Sequence, residues 1–331
     1  MDSAILMTDQ PRVGFRPWLV VITVIVASLG GAFGALSLAW LAAHTPWLAH
    51  LTPGLTPATS MRAMIVWVAP VLAVTGVPVV CLLIEAAILG FERSALRRLL
   101  FGSTPTARND LFYLLIRSSG LTHIMAFMFS LGTAFLLGHW LGRLFGIAVM
   151  HGKPFILQFI VFALLYSLLF YWAHRMMHLP WLWELHKVHH SAEELNVVTP
   201  LRNHPVDLAV MTILYAAPLA ILGCDPGPAT AYLGLNAFYQ CLVHSGVEMR
   251  HPWLEKIIIT SNAHRLHHSS AEQHMGRNFG ALTLWDKMFG TYLPPTEEPA
   301  AFGVENQHEF NTGRYFHEIF AIARRCVRNW R

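Results

Sequence analysis

Four long apolar runs dominate the chain, at about Trp18–Ala43, Ala63–Gly90, Leu121–Leu141 and Phe155–Ala173. Each is near or above the roughly 20 residues a helix needs to cross hydrocarbon. Two shorter runs, Leu208–Gly223 and Thr230–Val243, flank the turn text CDPGP. They predict a helical hairpin that either dips into the membrane or crosses it and returns. The last periodic stretch, Arg314–Arg331, places Phe316, Ile319, Phe320, Ala323, Val327 and Trp330 on one side and Arg324, Arg325 and Arg328 around the other. That predicts an amphipathic helix, lying on the membrane or on a cytosolic cap. The fold class that follows is all-α: polytopic membrane helices carrying a cytosolic, histidine-rich helical cap.

Composition agrees, since 54% of the 331 residues are hydrophobic and only 13% charged, against about 25% charged in a soluble domain. The net charge of +4 is spread along the chain with no recognised motif beside it, so nucleic acid is not an expected partner. Basic residues near span ends set orientation. Arg12 and Arg16 precede the first span, Arg62 stands alone before the second, and Arg93, Arg97, Arg98, Arg108 and Arg117 follow it. The N-terminus is therefore expected inside, 44–62 outside and 91–117 inside. Two further crossings and the hairpin keep the later polar segments inside; Arg143 and Lys153 run against the rule. Cys81, Cys224, Cys241 and Cys326 form no CxxC and read as reduced thiols. The polar N-terminus has no cleavage-site pattern of a signal peptide. Gly30-x3-Gly34 suits close helix packing, within the chain or across a homo-oligomer face.

The chemistry lies in histidine. Of 19 histidines, 12 fall between His174 and His274. Three clusters stand out: His174-x3-His178, His186-x2-His189-His190, and His264-x2-His267-His268. Positions three and four apart share a helix face, so each cluster aims two or three imidazoles one way. Imidazole ligates iron, zinc and copper. Eight rings exceed what one ion accepts and suit two ions side by side. Phe155–Ala173 is about 28 Å of helix, which sets the first cluster at the membrane surface, with Pro180 ending the helix. His44, His50, His123, His139, His151, His251, His274, His308 and His317 read as ordinary surface or core residues. A zincin HExxH motif, G-x-S-x-G and a P-loop are absent. Glu248/His251 and Glu305/His308 have the Glu-x-x-His spacing of soluble di-iron bundles, but one abuts Pro252 and the other lies in a polar tail.

HRMMH, HKVHH and HRLHH resemble the histidine boxes of the fatty acid hydroxylase/sterol desaturase superfamily of integral-membrane di-iron oxygenases. HHSAEELNVVTPLRNHP, LVHSGVEM and NFGALTLWDKMFGTY resemble that family's flanking segments. The resemblance implies a catalytic domain over 105–293, between an N-terminal transmembrane region at 1–104 and a C-terminal tail with an amphipathic helix at 294–331. It implies as metal ligands His174, His178, His186, His189, His190, His244, His264, His267 and His268. His204, in RNHP, is expected as a tenth ligand, a residue behind the ligands or a surface residue. Some relatives carry a second histidine four positions after the one matching His244; here that position is Glu248. The implied cofactors are two iron ions with dioxygen as co-substrate, and zinc would also fit. The implied reaction is hydroxylation or desaturation of a membrane lipid, with electrons from a separate protein. The rival expectation is a zinc-loaded or metal-binding membrane protein without oxygen chemistry. Glu184, Glu193, Glu194, Asn196, Asp207 and Asp286 are available to fix ring tautomers.

Overall fold

The structure is a computed structural model; it describes residues 76–122 and 149–329, with 125, 140, 143 and 144 between them. The first apolar run, the start of the second, most of the third, Arg12, Arg16, Arg62, the Gly30/Gly34 pair, His44, His50, His123 and His139 lie outside the described residues. Those described are helical, with two isolated β-bridges and no strand. In chain order the α-helices are α1 (Gly76–Leu89), α2 (Ala95–Phe101), α3 (Pro105–Ser118), α4 (Phe155–Met177), α5 (Pro180–His190), α6 (Pro205–Leu222), α7 (Pro226–Val243), α8 (Ser261–His267), α9 (Thr283–Met288) and α10 (Tyr315–Asn329).

Local chemistry sets the boundaries. Ser94, Thr104 and Thr260 cap α2, α3 and α8 by accepting backbone N–H groups with their hydroxyls, which fills donors a helix start leaves open. Proline opens α3, α5 and α7, where its missing N–H costs nothing. Pro180 was expected to end α4. The helix instead ends at Met177 with His178 as C-cap, and Pro180 begins α5.

Among the described residues, one helix is long and apolar enough to cross a membrane by length and composition, the 23-residue α4. It is about 34 Å long. The hairpin α6–α7 packs along it on both arms, and its turn is tied to the start of α4. Gln158 donates to the Asp225 carboxylate at 2.6 Å and accepts the Asp225 N–H at 2.7 Å. The Gly152 N–H donates to the same carboxylate at 3.2 Å, and the Met150 N–H donates to the Leu222 carbonyl at 3.1 Å. At the opposite end α4 delivers His174 and α7 delivers His244. The hairpin therefore runs the length of α4 and back, and a shallow dip does not describe it.

The remaining elements form a layer over the histidine end of α4. One core group joins Cys81 and Leu82 of α1, Ala95 and Leu99 of α2, and Leu111 and Leu114 of α3 to Val197, Val198 and Cys241. A second joins Tyr113 of α3 and Val188 of α5 to Phe310, Tyr315, Ile319 and Ile322 of the tail. The amphipathic tail helix thus packs on the cap, with Phe316 and Phe320 left exposed. Glu318 is buried and ties α10 to α3 by accepting from Asn109 at 3.2 Å and Tyr113 at 3.1 Å.

Arg202 is fully buried and binds three parts of this layer together. It pairs with Asp110 of α3, donates to the Thr106 carbonyl at 3.0 Å, to Ser191 at the end of α5 at 3.1 Å, and to Asn311 of the tail at 2.7 Å. Burial pushes the Asp110 carboxyl up, and the guanidinium pulls it back. Removing one member of such a pair strands a buried charge, at a cost of about 3–5 kcal/mol. Arg202→Met should therefore lower stability by about that amount, and adding Asp110→Leu should recover part of it. Unfolding of the detergent-solubilised protein measures both.

Candidate metal centre

The helix ends converge nine imidazoles. His174 lies in the last turn of α4 and His178 caps it. His186, His189 and His190 lie on α5, His244 caps α7, and His264, His267 and His268 lie on or cap α8. Two quartets result, His174/His178/His186/His190 and His189/His244/His264/His268, with the ligand atoms in each within 4.8 Å of one another. His267 forms a further group with His190 and His268. The His190 and His268 rings stack with centroids 4.2 Å apart, so the quartets adjoin.

The outward nitrogens decide the tautomers. The Nδ1–H groups of His174, His244 and His267 donate to the carbonyls of Phe279, Gln240 and Arg277, each at 2.7 Å. His186 directs Nδ1 at the Asp207 carboxylate at 3.0 Å. A carbonyl only accepts, so the proton of each neutral ring sits on Nδ1 and Nε2 carries a lone pair. The lone pairs of His174 and His267 then face each other at 3.1 Å with no proton to share. His244 Nε2, a lone pair by its tautomer, stands 3.0 Å from His264 Nε2 and 3.3 Å from His189 Nε2, and His264 Nε2 lies 3.2 Å from His268 Nε2. The buried Nε2 atoms of His178, His186 and His190 have no hydrogen-bond partner among the described residues.

Those spacings are what a cation requires. Two nitrogens each roughly 2.0–2.1 Å from one ion, at right or tetrahedral angles, stand about 2.8–3.4 Å apart. The residues present fit two ions held by imidazole. Burial first, and neighbouring imidazoles second, hold His178, His189, His190, His264 and His268 well below the usual histidine range. Burial lowers His244 to about 4 and His267 to about 3. Those seven rings therefore offer lone pairs without competing protons at physiological pH.

His204 is not brought into either quartet. Its Nδ1 accepts the Val206 N–H at 3.2 Å, and burial lowers it to about 4. His251 is exposed; buried His274 is held by Ser269 at 2.9 Å and Glu297 at 2.7 Å. His151 pairs with Asp225 at 2.6 Å at the far end of α4. Of the carboxylates named from sequence, Asp207 meets a ring directly. Glu184 pairs with Lys187 at 2.5 Å, and Glu194 with Thr104 and Arg98.

Asp286 acts one step further back. It is buried and accepts the N–H groups of Phe279 at 2.8 Å and Gly280 at 2.7 Å, and the Thr291 hydroxyl at 2.7 Å. That holds the 277–280 loop whose carbonyls orient His174 and His267. A Cβ on Gly280 would lie 2.7 Å from the Asp286 carboxylate and 2.9 Å from the Leu282 carbonyl, so only glycine fits. On the other side of the site, fully buried Glu85 of α1 accepts the Gly246 and Ala95 N–H groups, each at 2.7 Å. It fixes the chain just after His244. Sequence reading missed Glu85 and the three carbonyls: Glu85 sits in an apolar run, and a carbonyl has no sequence signature.

Residues 159–291 match the family model described as fatty acid hydroxylase. Alkylglycerol monooxygenase of Homo sapiens is 34% identical over 159 residues, covering 46% of this chain and 35% of the relative. That of Danio rerio is 36% identical over 131 residues, covering 39% and 29%. A Delta(7)-sterol 5(6)-desaturase of Aspergillus fumigatus is 30% identical over 157 residues, covering 44% of each chain. The chain thus spans about a third of the length of the human relative. No solved structure matches.

Residues behind metal ligands commonly affect metal affinity by about 10–100-fold. Asp286→Ala frees the carbonyl loop, and a loss of metal affinity within that range is expected, read by chelator competition. Glu297→Ala, which touches only His274, should leave affinity unchanged.

Proposed function

We propose, from the premise that this chain belongs to the fatty acid hydroxylase/sterol desaturase superfamily over residues 159–291, that it is a multi-pass membrane non-haem di-iron oxygenase acting on a lipid. The observation that carries the reading is the pair of adjoining all-histidine quartets with their Nε2 lone pairs turned inward. His174, His178, His186 and His190 would hold one ion, His189, His244, His264 and His268 the other, and His267 would complete the set between them. Iron bound there would supply the dioxygen-derived oxidising power that no side chain possesses.

The chain's own residues do the rest. Phe279, Gln240 and Arg277 carbonyls and the Asp207 carboxylate keep protons on Nδ1 of His174, His244, His267 and His186, so the inward nitrogens of these four rings stay donors of electrons. Phe279 packs its ring on His174, His178 and His267 and excludes water from that side. Trp172 and Trp181 are exposed near the end of α4, at the depth where indoles favour the membrane interface. The α6–α7 hairpin flanks α4 and offers an apolar chain a route from the bilayer to His174. We place the histidine layer on the cytoplasmic side, where a separate electron-transfer protein would reach it. In hydroxylation one oxygen atom enters a C–H bond and the other leaves as water, with two electrons and two protons supplied. Alkylglycerols are the first substrates to test, after the named activity of the human and zebrafish relatives, and sterols the second.

Lipid extracts of cells with and without the gene, compared by mass spectrometry, should differ by a lipid pair separated by one oxygen atom or two hydrogen atoms. Purified protein from iron-supplemented cells should carry two metal ions per chain. Full activity at one ion per chain would remove the dinuclear reading; tight zinc without any lipid product would favour a metal-binding protein.

His186→Ala or His268→Ala should abolish turnover while leaving membrane insertion intact, whereas His317→Ala should keep most activity. The metal-free protein should also lose stability as pH falls. Folded His244 takes up a proton only near 4 and His267 only near 3, whereas the unfolded chain takes one up near 6.5. Between those values the unfolded state binds more protons, so stability falls from about pH 6.5 downward. Unfolding midpoints of chelator-stripped protein between pH 7 and pH 5 test the sign.

A further inference from the structure

Two segments next to α4 expose large apolar side chains that nothing among the described residues covers. Trp253 and Ile257 lie four residues apart on successive turns, with the Ile257 N–H donating to the Leu254 carbonyl at 3.0 Å. Leu284 and Met288 lie four apart on α9. The segments are joined by the Ile258–Leu282 bridge and by the Thr283 N–H donating to the Ile257 carbonyl at 3.0 Å. The two pairs are thus neighbours, and their exposures are 58%, 53%, 46% and 60%. Lys256 and Lys287, also exposed, flank them.

Their depth is fixed by α4. Trp285 donates from Nε1 to Ser167 at 3.0 Å. Phe289 stacks on Tyr171 at 5.1 Å and meets Trp172 at 4.8 Å. Ser167 stands ten residues before the end of α4, about 15 Å along its axis. The bridged segments therefore lie beside the last half of the candidate membrane helix, level with its exposed Trp172. A polar cap ending at the membrane surface would not lay uncovered tryptophan, isoleucine, leucine and methionine at that level. Lysines beside such a patch can bury their stems and hold their charge among headgroups.

We infer that Trp253, Ile257, Leu284 and Met288 form a membrane-inserted edge of the cap, with the lipid bilayer as its partner. The edge rests on the reading of α4 as a membrane span. Its backbone continues into the 277–280 loop that orients His174 and His267. The lipid surface and the metal-orienting loop therefore share one piece of chain. A chain reaching the site along α9 would meet Phe289 and Trp172 before the histidines.

Spin labels test the depth. With Cys224 and Cys326 replaced by serine, and Cys81 and Cys241 buried, single cysteines at positions 253, 257, 284 and 288 are labelled in the full-length protein in lipid nanodiscs. Collision with dioxygen, which concentrates in lipid, is compared with collision with a water-soluble nickel chelate. Leu164, exposed in the middle of α4, gives the lipid reference and exposed His308 the aqueous one. At the four positions dioxygen collisions should exceed the chelate's severalfold, as at Leu164. Values matching His308 while Leu164 reads lipid would overturn the edge and leave the membrane reading standing. Shielding from both reagents would mean a protein partner or second copy covers the patch, and would equally overturn it. An aqueous reading at Leu164 would remove both.

Discussion

Lone pairs that face each other cannot be left alone in a buried site. Three of the nine imidazoles donate their Nδ1–H to backbone carbonyls and a fourth turns Nδ1 to a carboxylate, which leaves the Nε2 atoms of His174 and His267 unable to hydrogen-bond each other. The fold crowds the inward Nε2 atoms to 3.0–3.3 Å. It does so by bringing the ends of α4, α5, α7 and α8 to one place. Each of those ends is held by an independent device: Asp286 for the 277–280 loop, Glu85 for the chain after His244, and Asp207 for α5. The polar core around Arg202 and Asp110 ties α3, the end of α5 and the tail into the platform that keeps α5 in place. The arrangement suits cations in the middle, and the facing lone pairs of His174 and His267 are electrostatically frustrated without one.

The protein part of the site is consequently a tautomer-setting scaffold. The groups that matter most beyond the rings are acceptors of a single N–H each, and three of the four are main chain. Substitution cannot remove a carbonyl, so variation acts on what positions it: the Asp286 carboxylate, the glycine at 280 that leaves room for it, and Asn278, which adopts positive φ and holds the Ala263 and Leu293 carbonyls.

Much of this was legible in the sequence because metal ligation on helices has a rigid spacing. The three histidine clusters gave eight of the nine converging rings, and the likeness of LVHSGVEM to a family segment gave His244. His204 shows the limit. Its RNHP context left ligand, supporting and surface roles open; at the start of α6 its Nδ1 accepts the Val206 N–H, and the ring lies outside both quartets. The hairpin was readable from two apolar runs around CDPGP. Its depth was not, because that depends on Asp225 meeting Gln158, 67 positions earlier in the chain. Glu85 was hidden for the opposite reason: a single carboxylate in an apolar run looks like an interruption until its two amide partners are seen.

The far-end tie has a mechanical consequence. A helical hairpin anchored to its neighbour at one end by Gln158 and Asp225, and at the other by the histidine layer, behaves like a beam clamped at both supports. It cannot swing open like a gate. Any widening between α6 and α4 must come from bowing, and bowing concentrates where the beam is weakest. Pro218 lies inside α6, four residues before its end at Leu222, and a proline there removes a main-chain hydrogen bond and softens the helix. The slot between α6 and α4 therefore has a built-in flexure point close to its tied end, at the far end of α4 from the histidines. The compliance of the hairpin is thus segregated from the rigidity that holds nine rings in register.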